Sequence, residues 1–285
     1  MNTLDLARTA ARRAIEIRRQ ATVLRTDPVN VFDVAEERLG VRVQFFAGSS
    51  FEGMFAKEQN TILVPSERPP GRRVFAAAHE LGHWAFGHGT QIDTVDSISD
   101  YNSSPEERLV NQFAGHFLMP SPAVDTVANL LRLNFANPDK MKIYEMASWF
   151  GVGYSSLINH LTYSQQRFST TVAGELLKYQ PKELRGMLIP NQKSSHMVVA
   201  LSMSPRIPLD LAVGDHLVLP AGTEHSKKHL ITISSSSSQL VTQAITPGIS
   251  LASNGTGWSA VIRIMKDAFS GWSKYRHLDD DNDLY

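Results

Sequence analysis

The sequence predicts an α+β fold, and three observations carry that reading. Apolar, β-rich segments divided by turn residues lie between residues 41 and 64, apolar helical periodicity flanks them on both sides, and beyond Gly186 the chain becomes short apolar runs separated by Gly, Pro and Ser. A small antiparallel sheet backed by helices, then a helical pair, then a mainly β region satisfies all three. The expected division is 1–135, 136–185 and 186–285. With 285 residues and 42% hydrophobic content, the chain has apolar material for more than one core.

Each element has its own signal. From Thr3 to Leu24, Ala7, Ala10, Ala11, Ala14 and Ile15 recur at helical spacing, and Val31 to Leu39 gives a second short helix ended by Gly40. Val41 to Phe46, Phe51 to Ala56 and Thr61 to Val64 are the strands. Pro69-Pro70-Gly71 breaks the chain, and a helix rich in small residues follows it. A polar loop leads to another helix, which starts at Ser104-Pro105 and stops at Pro120-Ser-Pro122. Lys140 to Leu161 is helical again. His196 to Met203, His216 to Leu219, Leu230 to Ile233, Leu240 to Ile245 and Ala260 to Met265 are the expected β runs. The serine run Ser234 to Ser238 reads as a solvated loop or strand tip, and Asp279 to Asp283 as an acidic tail.

Charge and cysteine usage narrow the chemistry. Lys+Arg and Asp+Glu are 28 each, so no overall field draws nucleic acid or anionic membrane. The absence of cysteine excludes disulfides and thiolate ligands. The first twenty residues are charged throughout, unlike a secretory signal, and no run has the apolar length of a membrane span. A soluble cytoplasmic protein without a membrane partner is expected.

The helix after Pro70 carries His79-Glu80-Leu81-Gly82-His83. Two imidazoles four residues apart project from one helix face towards a common point, which suits a tetrahedral metal ion. Ala76, Ala77, Ala78 and Gly82 keep this helix thin enough to pack closely in a core. A catalytic zinc needs a third protein ligand. His88 invites that role, but the extended histidine pattern requires glycine at position 86 and histidine at 89, where the chain has Phe86 and Gly89. A glutamate of the next helix is preferred: Glu107 shares a face with Asn111, Ala114 and Leu118. Glu107 has a competing use, because Ser104 at N-cap, Pro105 at N1 and Glu107 at N3 form a capping box, with Glu106 left to solvent. Glu106 and His88 stay as alternative third ligands.

His79-Glu-Leu-Gly-His-Trp84, preceded by Arg73-Val-Phe-Ala-Ala-Ala78 and followed by Glu107-x-x-x-Asn111-x-Phe113-Ala114 and Leu118-Met-Pro120, resembles the ImmA/IrrE family of intracellular metallopeptidases. The Gly53 segment and the Thr61-Ile-Leu-Val64 strand are similar too, and the resemblance covers residues 5 to 165. It implies a zincin-like fold, a Zn2+ cofactor held by His79, His83 and Glu107, Glu80 as the catalytic carboxylate, and site-specific endopeptidase activity. The implied substrate is a helix-turn-helix transcriptional repressor, cleaved during a stress response or mobile-element induction. Val110 and Gly115 stand where family members often carry alanine. An extended substrate is expected along an edge strand at Gly53 to Ala56 or Thr61 to Val64, where strand addition satisfies its backbone. Gly53, Met54 and Tyr101 are the expected substrate contacts, although a β-bulge explains Gly53 equally well. Tyr101, His88 and His116 are weighed as oxyanion stabilisers against ordinary structural roles.

Between Ala147 and Leu157, alanine, then Gly151 four residues on, then an apolar residue six beyond gives the spacing of a helix-turn-helix. Its would-be recognition helix, Tyr154 to Gln166, contains no Lys or Arg for phosphates or guanines, so it reads as a packing module rather than a DNA reader. The alternative function is a DNA-binding regulator with a non-productive zincin shell. His196, His216, His225, His229 and His277 lack ligand spacing. The β region containing them is expected to control or target the peptidase and to supply no ligand.

Overall fold

The computed structural model describes residues 3–48, 52–93, 104–189 and 196–278. Helix α1 (Thr3–Gln20) buries Leu6, Ala10, Ala14 and Ile17 against α4 (Pro105–Leu118). Ile15, expected on that stripe, is 39% exposed: Leu6 and Ile17 set the buried face, and position 15 is turned about 100° from position 14. Arg18, on the buried side, donates to the carbonyls of Phe117, Leu24 and Asp27 at 2.6 Å each, satisfying the end of α4. Helix α2 (Val31–Asp33) is capped by Asn30, whose side chain accepts from the Asp33 N–H, and widens into a π turn over Val34–Arg38.

The first sheet comprises β1 (Arg42–Phe46), β2 (Gly53–Ala56), β3 (Thr61–Pro65), β4 (Gln91–Asp93) and β13 (Gly271–Trp272), in the order β13-β1-β3-β2-β4. It is mixed, which corrects the expected antiparallel sheet. A tight turn at Lys57–Asn60, with Asn60 at φ 47°, folds β3 back on β2 as a hairpin and into the space beside β1, so β1 and β3 run parallel. A second correction concerns the edge. Neither β2 nor β3 is an edge strand, because β3 lies between β1 and β2, and β2 also pairs with β4.

Helix α3 (Pro70–Phe86) crosses one face of this sheet and packs on α4. Helix α5 (Ser121–Leu131) leads to a helical pair, α6 (Lys140–Trp149) and α7 (Tyr154–Asn159), the latter continuing as a π turn over His160–Ser164. Gly151, at φ 65°, makes the turn between them. Leu157, Ile158 and Leu161 are buried in the same core as α1, α3 and α4, so the pair packs into that core. Gly71 is what lets it dock: a Cβ there would lie 2.5 Å from the Gly153 nitrogen and 2.7 Å from the Val152 carbonyl carbon. Helices α8 (Thr170–Leu176) and α9 (Pro181–Leu188) follow. No described helix is long and apolar enough to cross a membrane.

The C-terminal region holds two four-stranded sheets. One has β5 (Met197–Val199), β7 (His216–Pro220), β10 (Gln239–Ala244) and β9 (Leu230–Ser235) in that order; the other has β6 (Leu209–Ala212), β12 (Ser259–Met265), β11 (Gly248–Ser253) and β8 (Glu224–His225). Leu211, Leu217, Leu219, Ile262 and Ile264 fill the layer between them, while Val199, Val218 and Val241 face the helical core. Strands β5 and β7 of the first sheet are thus buried on both faces, which is why they read as apolar runs, whereas β9 is largely exposed. Strand β13 crosses the expected boundary at residue 186 and pairs antiparallel with β1. A charged cluster reinforces that crossing: Arg263 bonds Asp33 and Asp210 at 2.7 Å each, and Arg276 bonds the same two residues at 2.6 and 3.0 Å. The tail from Asp279 lies outside the described residues.

Candidate metal centre

Local rules place the site. Helix α3 begins at Pro70, and α4 begins with Pro105 after the Ser104 N-cap, whose hydroxyl accepts from the Glu107 N–H at 3.2 Å. The two helices approach at Gly82, where a Cβ would lie 3.0 Å from Val110 Cβ and 3.1 Å from Phe113 Cδ1. That closeness brings the first turn of α4 onto the histidine face of α3. Gly87, at φ 73°, ends α3 with a left-handed cap and turns the chain back, so His88 returns onto His83.

His79, His83 and Glu107 converge, and among the described residues they are the group that could hold a metal ion. His79 Nε2 and His83 Nε2 lie 3.2 Å apart, and the Glu107 carboxylate oxygens lie 3.1 Å from His79 Nε2 and 3.5 Å from His83 Nε2. Donors about 2.0–2.1 Å from a tetrahedral ion stand about 3.3 Å from each other, so the three separations match the edges of such a site. All three residues are buried. Burial raises the Glu107 pKa, but hydrogen bonds from His79 and His83 and their charge outweigh it and hold the group down at about 2. Its carboxylate is therefore anionic and turned to the histidines, while Ser104 engages only its backbone: the capping serine and the converging glutamate coexist. Glu106 is exposed.

Two further residues orient the imidazoles. His79 donates from Nδ1 to Asn111 Oδ1 at 2.9 Å, so that in the neutral ring the Nε2 lone pair, in place of the Nε2–H that the Glu107 carboxylate accepts from the charged ring, would be available to a metal. His83 Nδ1 meets His88 Nδ1 at 3.0 Å, so His88 holds a histidine in place and does not itself join the three. Sequence reasoning placed Asn111 on the right face but gave it no role; its position one turn after Glu107 was the available signal. His116 packs edge-on against His160 at 5.0 Å, apart from the convergence.

Glu80 is 1% exposed, and Gly53 lies directly against it: a Cβ at Gly53 would stand 2.7 Å from Glu80 Oε1 and 3.2 Å from its Cγ. Strand alternation turns Met54 to the opposite face of the sheet. Tyr101 lies outside the described residues. A groove of about 640 Å³ opens beside the site, walled by Phe75 and Asn111 on one side and by Tyr154, Asn159 and Tyr163 of the helical pair on the other.

The family model for the IrrE N-terminal-like domain, peptidase M78, matches residues 36–162. The Radiation response metalloprotease IrrE of Deinococcus radiodurans is 30% identical over 131 residues, 43% of this chain and 37% of that protein. The match thus spans little more than a third of that relative's length. A solved structure of a Mycobacterium tuberculosis transcriptional regulator aligns at a TM-score of 0.37 and 22% identity, over 55% of this chain and 47% of that one, a likeness too slight to argue from. Over residues 36–162, less than half of its length, the chain is thus similar to the IrrE N-terminal-like domain of peptidase M78, and that stretch contains His79, Glu80, His83 and Glu107.

Proposed function

We propose that this protein is a zinc-dependent endopeptidase. One observation carries the reading: His79, His83 and Glu107 converge at tetrahedral spacing, with the Glu80 carboxylate buried beside them. The two histidines and Glu107 would hold the ion, and zinc there supplies Lewis acidity that makes a water nucleophilic near neutral pH. Glu80 accepts the proton of the attacking water and returns it to the leaving nitrogen as the peptide C–N bond breaks. Asn111 and His88 fix the two imidazole rings, and Gly53 leaves room for the Glu80 carboxylate. The groove between α3 and α7, which Asn111 helps to line, is where a substrate chain would approach the site.

The substrate class to which the family resemblance points is a helix-turn-helix transcriptional repressor, cleaved in the cytoplasm during a stress response or mobile-element induction. The relative's name, a radiation response metalloprotease, supports both the chemistry and the setting. Incubation of the purified chain with the repressor encoded nearest its gene is the test. Zinc-loaded wild type should cut at one site and Glu80→Gln should keep zinc and not cut; equal cutting by both would end this mechanism.

A second reading, a DNA-binding regulator with a silent peptidase shell, is favoured by the turn geometry at Gly151. Against it, residues 154–166 carry no Lys or Arg, and Tyr154, Asn159 and Tyr163 line the groove. A salt-dependent gel shift together with full in vivo activity of Glu80→Gln would favour this reading.

A further inference from the structure

A second cavity, of about 120 Å³, lies where the N-terminal turns of α3, the helical pair and the C-terminal sheets meet. Phe32, Phe45, Val74, Trp149, Leu209 and Met265 make its wall largely apolar. Arg73 breaks that character. It is 7% exposed, yet among the described residues it donates only to the Ser66 carbonyl at 3.4 Å and towards Met265 Sδ at 4.0 Å, and no carboxylate oxygen lies within 4.0 Å of it. Its guanidinium stands 5.9 Å from the centre of the Phe45 ring.

The other charged groups of the wall are engaged. Asp210 accepts from Arg263 and Arg276, Arg276 also bonds Asp33, and Asp215 accepts from the Ala212 N–H at 2.8 Å and meets His196 at 3.3 Å. Asp215, Asp267 and Asp210 attract Arg73 from beyond ion-pair distance, and burial still lowers its pKa from the usual value. A buried cation without a paired anion costs several kcal/mol. A cavity beside it can recover that cost by admitting water or a ligand anion.

We propose that this cavity binds a small organic carboxylate, its anionic end on Arg73 and its hydrocarbon body against the apolar wall. A cavity of about 150 Å³ takes benzene, so 120 Å³ suits a branched body of about four or five carbons. The carboxylate gives the guanidinium two parallel hydrogen bonds in the geometry that arginine prefers. The inference goes beyond the peptidase reading and does not depend on it.

The experiment titrates the full chain with 3-methylbutanoate and, in parallel, with the uncharged 3-methylbutanamide, by calorimetry and thermal unfolding. The acid should bind saturably with a Kd of about 1 mM or below, raise Tm, and bind at least about tenfold more tightly than the amide. Arg73→Met should remove the difference between the two. Because that variant can fail to fold, the Arg73 Nε–H resonance of the wild type is followed as well, and it should shift with the acid and not with the amide. No saturable binding at about 20 mM, leaving a water-filled cavity, or equal binding of acid and amide, or an unmoved Arg73 resonance, each overturns the proposal.

Discussion

Substitution of Gly53 by alanine should damage the chemistry and spare the fold. The added Cβ would stand 2.7 Å from Glu80 Oε1, and ordinary contact needs about 3.4 Å, so the carboxylate must retreat by about 0.7 Å. The atoms in the way belong to the far end of a flexible side chain, and Gly53 has no left-handed φ to lose, so folding stability should change by less than about 1 kcal/mol. A general base moved by that much costs about 10- to 100-fold in rate. The assay measures kcat/KM for repressor cleavage, zinc content and Tm together. The expected outcome is a loss of about 10- to 100-fold with zinc and Tm retained, and no further loss when Gly53→Ala is added to Glu80→Gln. Wild-type kcat/KM in Gly53→Ala refutes the reasoning; loss of zinc or a Tm several degrees lower refutes it differently, by making Gly53 a residue of the fold.

Other substitutions separate site from scaffold. Gly71→Ala, whose Cβ meets the backbone of Val152 and Gly153, should destabilise by about 1–3 kcal/mol in denaturant unfolding, whereas Gly174→Ala, with open space around it in α8, should stabilise by about 0.5–1 kcal/mol. Asn111→Ala should weaken zinc affinity about 10- to 100-fold in chelator competition, because the His79 ring loses its acceptor. His160 is buried and held down at about 3, mainly by desolvation and then by His116 beside it. Its folded pKa lies below the unfolded value of about 6.5, so the stability it contributes is complete above pH 6.5 and is lost as pH falls towards 3, at up to about 1.4 kcal/mol per pH unit. Unfolding of His160→Gln should therefore depend less steeply on pH between 6 and 4 than unfolding of wild type; an identical slope would exclude His160 as the source.

The α+β class and the helices that carry His79, His83 and Glu107 were legible because their signals are local. His79 and His83 share a face by spacing alone, the prolines and Ser104 mark both helix starts, and Gly82 announces close packing. The reciprocal capping box was legible as a competitor, but only the structure shows that Ser104 caps the backbone while the Glu107 side chain goes elsewhere. What escaped was non-local. Strand β13 is two residues long and pairs with a strand more than 200 residues earlier, and the Asp33, Asp210, Arg263 and Arg276 cluster joins four distant positions. Strand β11 misleads a periodicity reading, because it buries Gly248, Ser250 and Ala252 and exposes Ile249 at 59% and Leu251 at 71%. The parallel pairing of β1 and β3 depends on where a hairpin falls in space, which alternation of apolar residues does not encode.

The most direct test of the central claim is the zinc content of wild type, His79→Ala, His83→Ala and Glu107→Gln, measured by elemental analysis on folded protein. If His79, His83 and Glu107 hold the ion, wild type carries about one zinc per chain, the two histidine variants carry almost none, and Glu107→Gln loses zinc to a chelator at least about tenfold more readily than wild type. Stoichiometric, tightly held zinc in Glu107→Gln, with loss in His88→Ala or Glu106→Gln instead, would contradict the site as assigned.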